Sequence, residues 1–369
     1  MNLSRLRKRS SRHSRKNSKA ARGPSERTVR NMPSSYRPTI NQRLVALRTT
    51  NRKTIQAKGC NENPFLLKAH HDFKLEINGT CYAFFERPAI DFLLHNLAAN
   101  KHIDPKKLIT PKQYDANCWF NVMFVTYFIS DKGRHFFHFL RHLMITGTQA
   151  NGTPLDPELW KTFSLLNYFV DISAKGDPMA KNINTNAIIL KLYHIIKHKN
   201  KTVYKTSQAG NPVIYYNSII DYLNNQDISI LHVYCDPDWK QSIQVQLTRF
   251  LTHTKGKMPH VILLEFSSTV SKSVEKDRST ELQLNRNRYR LDAACIIDVE
   301  REHFSSCLTL EKEDYMYDGM SNHRLIKKPW KNLLNSKVEW SFAGSTNLNR
   351  TLKKWCFLNG YHVLFYYLV

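Results

Sequence analysis

The sequence predicts an α+β fold, with helices first, strands later, and a largely antiparallel sheet. Three observations carry this. Residues 89–98, 118–129, 134–145, 157–172, 184–198 and 214–224 show helix-like apolar patterns. The runs 228–234, 260–266, 289–299, 304–310, 315–317 and 361–368 are short, rich in β-branched and aromatic residues, and bounded by polar breaks. With 369 residues, 41% of them hydrophobic, the chain can bury a substantial core. Segregated helices and strands imply two lobes that a cleft could separate.

The formal charge is +25, but it is unevenly spread. Residues 1–58 hold 17 lysines and arginines against Glu26 alone, a net +16, which leaves +9 for the other 311 residues. So basic and core-poor a segment is expected to be a disordered N-terminal tail, with one folded domain over 59–369. Such a tail suits nucleic-acid phosphates, an anionic membrane surface or a nuclear address. No uninterrupted apolar run is long enough for a transmembrane helix, and arginines rather than an apolar signal core follow the first residues. A cytoplasmic or nuclear protein, not a secreted one, is expected. The seven cysteines are scattered and form no CxxC pair, so reduced thiols and no bound metal or cofactor are expected.

Along the chain, Phe73, Leu75 and Ile77 alternate, turn at Asn78-Gly79 and return through Thr80 to Phe84, a hairpin signal. Pro88 opens the first helix. From Cys118 to Ile129 the helical wheel is apolar nearly all round, which marks a core helix. The second, more amphipathic helix at 134–145 places His135, His138 and His142 at ligand-like spacing. Arg134 and Arg141 nearby favour a solvated basic face instead. Cys235, Asp236 and Asp238 look ligand-like but fit a turn after a buried strand equally well, and Arg286 to Arg290 read as a charged sheet edge rather than a nucleic-acid contact.

Nucleophilic chemistry concentrates at Cys118. A thiol attacks only as thiolate, so its pKa must be lowered by a helix N-terminus or a neighbouring imidazolium. Asn117 is an acceptable N-cap for a helix starting at Cys118. Among 16 histidines, His303 at the start of a strand is the best-placed base. Asp318, where the next antiparallel strand would return, can orient the ring, with Asp314 and Asn322 as alternatives. Gln113 can supply an oxyanion donor, and Asn117 either a second amide or only the cap.

Gln113-Tyr-Asp-Ala-Asn-Cys118-Trp-Phe-Asn121 resembles the cysteine box of the ubiquitin-specific peptidases. That box carries an amide five residues before the cysteine, an aromatic after it and an asparagine three after. Tyr289-Arg-Leu-Asp-Ala-Ala-Cys-Ile-Ile-Asp298, Glu302-His303-Phe304, Tyr315-Met-Tyr-Asp318 and Tyr361-His-Val-Leu-Phe-Tyr-Tyr367 resemble the histidine box of the same family. The resemblance covers roughly residues 108–130 and 286–369. It implies a papain-like cysteine peptidase fold, no cofactor, and hydrolysis of (iso)peptide bonds after the Gly-Gly terminus of ubiquitin or a ubiquitin-like protein. Glu302 stands where the family usually has glycine, Gly319 replaces a second acid, and the zinc-bearing fingers are missing. Compact, fingerless relatives of this kind occur in large DNA viruses, where processing of a viral precursor would be the alternative substrate. A different class of function also fits the tail: a structural or virion protein that keeps the fold without turnover while residues 1–58 bind nucleic acid or membrane.

Overall fold

A computed structural model of the chain describes residues 58–60, 72–99, 102–197, 211–224, 228–273 and 277–369. The basic segment 1–58, Lys58 apart, lies outside the described residues. The architecture is mixed α/β, with helices followed by a predominantly antiparallel sheet.

A small sheet opens the described chain: β1 (Lys58–Gly59), β2 (Lys74–Ile77) and β3 (Thr80–Ala83), all antiparallel. Asn78 and Gly79 both adopt positive φ, the tight hairpin turn that Asn-Gly favours. The expectation of uniformly reduced thiols is corrected here, because Cys60 and Cys81 are joined as a disulfide across this sheet. Cys118, Cys235, Cys295, Cys307 and Cys356 are free and buried.

The helical layer consists of α1 (Arg87–Ala99), α2 (Cys118–Phe128), α3 (Asp131–Phe136), α4 (His138–Thr146), α5 (Pro157–Lys175), α6 (Asn186–Ile196) and α7 (Pro212–Tyr222). All eleven residues of α2 are buried, as its apolar wheel predicts. The single helix expected at 134–145 is instead two, broken at Phe137, whose ring stacks on Tyr127 with centroids 3.8 Å apart. The break separates His135 from His138 and His142. Nor is the arginine face solvated: Arg134 pairs with Asp131 and Glu311, and Arg141 with Asn167 and Asp171, both guanidiniums being buried.

The large sheet adds β4 (Ile230–Cys235), β5 (Val261–Phe266), β6 (Glu281–Leu284), β7 (Asn287–Ile297), β8 (Phe304–Leu310), β9 (Glu313–Tyr317), β10 (Leu325–Lys327) and β11 (His362–Leu368). Its order is β10-β9-β8-β7-β11-β5-β4, with β6 pairing β7. One pairing departs from the antiparallel expectation: β4 and β5 run parallel. A parallel pair needs a crossover, and helix α8 (Trp239–His253) provides it. Asp238, read in the sequence as a turn residue, caps α8 by accepting from the Gln241 N–H.

Strand alternation divides the interior into two cores. Ala293, Cys295, Leu308, Val363 and Phe365 face the helical layer. Ala294, Ile296, Cys307, Leu364 and Tyr366 face the other way, onto α8 and a layer built from Trp330, Trp340, Phe342, Trp355 and Phe357. Both sheet faces are therefore dry, which is why these strands read as continuous apolar runs rather than alternating ones. Helix α2 packs directly on β7 and β8.

Candidate functional site

Cys118 is the first residue of α2, where backbone N–H groups lack intrahelical acceptors and favour a negative charge. The segment before it is held by a buried network of neutral amides. Asn117 Nδ2 donates to Thr185 Oγ1 (2.9 Å), the Thr185 hydroxyl donates to Asn121 Oδ1 (2.8 Å), and Asn121 Nδ2 reaches Asn117 Oδ1 (3.2 Å) and the Lys112 carbonyl (3.3 Å). Asn117 Oδ1 also accepts from the Tyr114 N–H. Asn117 thus stands at the N-cap position without making a side-chain cap bond. Its amide holds the loop rather than facing a reacting group.

His303 immediately precedes β8, and Asp318 immediately follows β9, two antiparallel neighbours. Their side chains meet: His303 Nε2 lies 2.6 Å from Asp318 Oδ1, which also accepts from the Met320 N–H. Both are buried, with 1% and 0% of their surface exposed, whereas Cys118 keeps 8%. The other ring nitrogen, Nδ1, is buried without a hydrogen-bond partner, and the Cys118 side chain lies close enough to act on the imidazole. Burial pulls the His303 pKa down, but the hydrogen bond to Asp318 and the nearby Asp318 and Cys118 outweigh it and raise it to about 9. The Trp355 ring stands edge-on to the imidazole at 5.9 Å. Of the alternative orienting residues, Asp314 is taken by Lys331 (2.7 Å), and Asn322 packs against Gly344.

Gln113 connects the two halves. Its backbone N–H donates to the Gly319 carbonyl (3.0 Å), and the Tyr317 hydroxyl donates to the Pro111 carbonyl (2.8 Å). The Gln113 side-chain amide spends one N–H on the Asp115 carbonyl, leaving the second. A side chain at Gly319 would place its Cβ 3.0 Å from the Tyr317 hydroxyl and 3.2 Å from both Gln113 Cβ and N. Glycine after Asp318 is thus what lets the cysteine-bearing loop come this close. Glu302, the other departure from the resembled pattern, bonds to Lys353 Nζ (2.8 Å).

No protein-family model matches the chain, and no curated protein matches it. Among solved structures it is similar to a chain of the SAGA DUB module Ubp8/Sgf11/Sus1/Sgf73 bound to monoubiquitin. That likeness is at 9% identity and TM-score 0.42, over 81% of each chain. It is also similar to an essential yeast splicing factor, at 13% identity and TM-score 0.33, covering 81% of this chain and 86% of that one. Likenesses this weak carry no argument.

Within the site, the structure joins His303 to Asp318 with Cys118 near the imidazole, bonds Gln113 to Gly319 beside Asp318, and commits Asn117 to Thr185. Sequence reasoning missed Thr185, Asp298, Lys353 and Trp355. Thr185 and Lys353 sit in stretches with no motif and become visible only through their contacts. Asp298 closes the strand segment that carries the histidine-box resemblance, and it accepts from the His303 N–H (2.9 Å).

Proposed function

We propose that the chain is a papain-like cysteine peptidase similar to the ubiquitin-specific peptidases. It hydrolyses (iso)peptide bonds after the Gly-Gly terminus of ubiquitin or a ubiquitin-like protein, or a precursor cut at such a sequence. The observation that carries this reading is the buried ring of His303, held by Asp318 at Nε2, with the Cys118 side chain close enough to act on it. Asp318 fixes the imidazole and favours its protonated form, which suits a proton acceptor beside a thiol nucleophile.

In this mechanism His303 takes the thiol proton and the thiolate attacks the carbonyl carbon. The Cys118 N–H and the free Gln113 N–H stabilise the oxyanion. His303 returns the proton to the leaving amine, then accepts one from the water that hydrolyses the thioester. A Gly-Gly terminus suits a narrow approach, because residues without a side chain pass where others would clash.

The test is labelling of the full chain with ubiquitin carrying a C-terminal electrophile, beside a competent deubiquitinase. The expected result is one adduct at Cys118, lost in Cys118→Ala. The hydrolase reading is overturned if probes built on ubiquitin and its relatives all fail and Cys118 is alkylated no faster than an ordinary thiol.

A further inference from the structure

We infer that Lys353 is a positioning residue for His303, acting through Asp298. The inference rests on the cysteine-peptidase reading for its consequence in turnover, but not for its structural content. Asp298 is fully buried. One of its oxygens accepts from the backbone N–H of Glu302 (2.7 Å) and of His303 (2.9 Å), and the other bonds to Lys353 Nζ (3.0 Å). The Asp298 N–H returns a bond to the His303 carbonyl (2.9 Å), which closes the turn at both ends.

A carboxylate this deep needs a counter-charge, and Lys353, itself 5% exposed, supplies it at 3.0 Å. Burial alone would pull the lysine pKa down, yet its bonds to Glu302 and Asp298 raise it, so the ammonium stays charged. The segment that carries Lys353 bonds back to the turn through the Val299 N–H and the Lys354 carbonyl (2.9 Å), and it places Trp355 against the imidazole. Asp298, Glu300 and Glu302 lie close enough to suggest a cation site. Lys353 already bonds two of the three, so the cation here is the protein's own. Glu302, where the resembled family has glycine, is thereby drawn into the support of the histidine.

Losing the ammonium strands a buried charge, and the turn that sets the height of His303 beside Cys118 loosens. The experiment compares full-length wild type, Lys353→Met, Lys353→Arg and the double variant Lys353→Met with Asp298→Asn. Hydrogen exchange is read over residues 298–305, and kcat and KM on a ubiquitin C-terminal fluorogenic amide. Lys353→Met is expected to speed exchange in this turn and lower kcat roughly tenfold to a hundredfold at unchanged KM. Lys353→Arg should restore most of both. The double variant should recover part of them, since asparagine still accepts the two N–H bonds without a stranded charge. Exchange and kcat like wild type in Lys353→Met overturn the inference; if that variant does not fold, exchange in Lys353→Arg and the double variant decides it. Absent turnover in wild type removes the peptidase reading, while the exchange measurement still judges Lys353.

Discussion

The two halves of the candidate site are held by opposite kinds of interaction. On the cysteine side, Asn117, Thr185 and Asn121 form a buried circuit of neutral hydrogen bonds beneath the start of the helix. On the histidine side, Asp318, Asp298 and Lys353 hold the turn and ring with charges that are almost completely buried. Neutral amides cannot titrate, so the placement of Cys118 is insensitive to pH over the ordinary range. The ionic half is strong because the surroundings are dry, and for the same reason it depends on the protonation state of His303.

The largest effect that would break this contrast is expected at Asp318. Asp318→Asn removes the charge while keeping the shape, and turnover should fall by about two to four orders of magnitude. The same variant sharpens the pH argument. His303 in the folded chain has its pKa raised to about 9 from an ordinary 6.5, so the folded state holds this proton more tightly than the unfolded chain. That contribution to stability is complete below about pH 6.5 and fades as the pH climbs through about 9. Melting temperatures between pH 6 and 10 should therefore decline in wild type and decline less in Asp318→Asn; equal slopes would show that the ionic pair does not govern this half.

A smaller effect, of a different shape, is expected at Thr185. Thr185→Val leaves Asn117 Nδ2 and Asn121 Oδ1 without their buried partner, a loss of about 1–3 kcal/mol by denaturant unfolding. That loss should be the same at pH 6 and pH 9, and a strong pH dependence would contradict the neutral character of the cysteine side. The smallest effect belongs to the seam. Gly319→Ala brings a Cβ to 3.2 Å from Gln113 and 3.0 Å from the Tyr317 hydroxyl. A loss of about 1 kcal/mol is expected, at the low end of the overpacking range. The accompanying fall in turnover should be slight, read as kcat, because the Gln113 N–H to Gly319 carbonyl bond stretches rather than breaks.

The cysteine side was far more legible in advance than the histidine side. Cys118, Asn117 and Asn121 lie within four residues of each other on an apolar run whose burial follows from composition alone, so their proximity needed no tertiary information. His303 and Asp318 could be paired because two consecutive antiparallel strands bring their ends together, as the β8–β9 register does. Lys353 was not legible, since a lysine in a polar stretch reads as solvated, and only the fold of the C-terminal segment against the turn buries it. Arg134 and Arg141 misled for the same reason: their charge predicts exposure, while Glu311 and Asp171, distant in sequence, neutralise them in the interior. The parallel pair β4–β5 escaped because helix α8 is only modestly apolar. Its buried stripe of Trp239, Ile243, Leu247 and Phe250 has helical spacing all the same.

Local pattern by itself determined most of the helices and central strands, the wholly buried helix that begins at Cys118, and which thiol, imidazole and carboxylate were candidates. These depend on periodicity and on residue chemistry, which neighbours along the chain already express. Tertiary structure alone decided that Asn117 turns to Thr185, that Glu302 and Asp298 share Lys353, and that Gly319 meets Gln113. Such partners are set by which surfaces come to face each other across the sheet, and a buried polar group takes whichever complementary group the packing brings within reach.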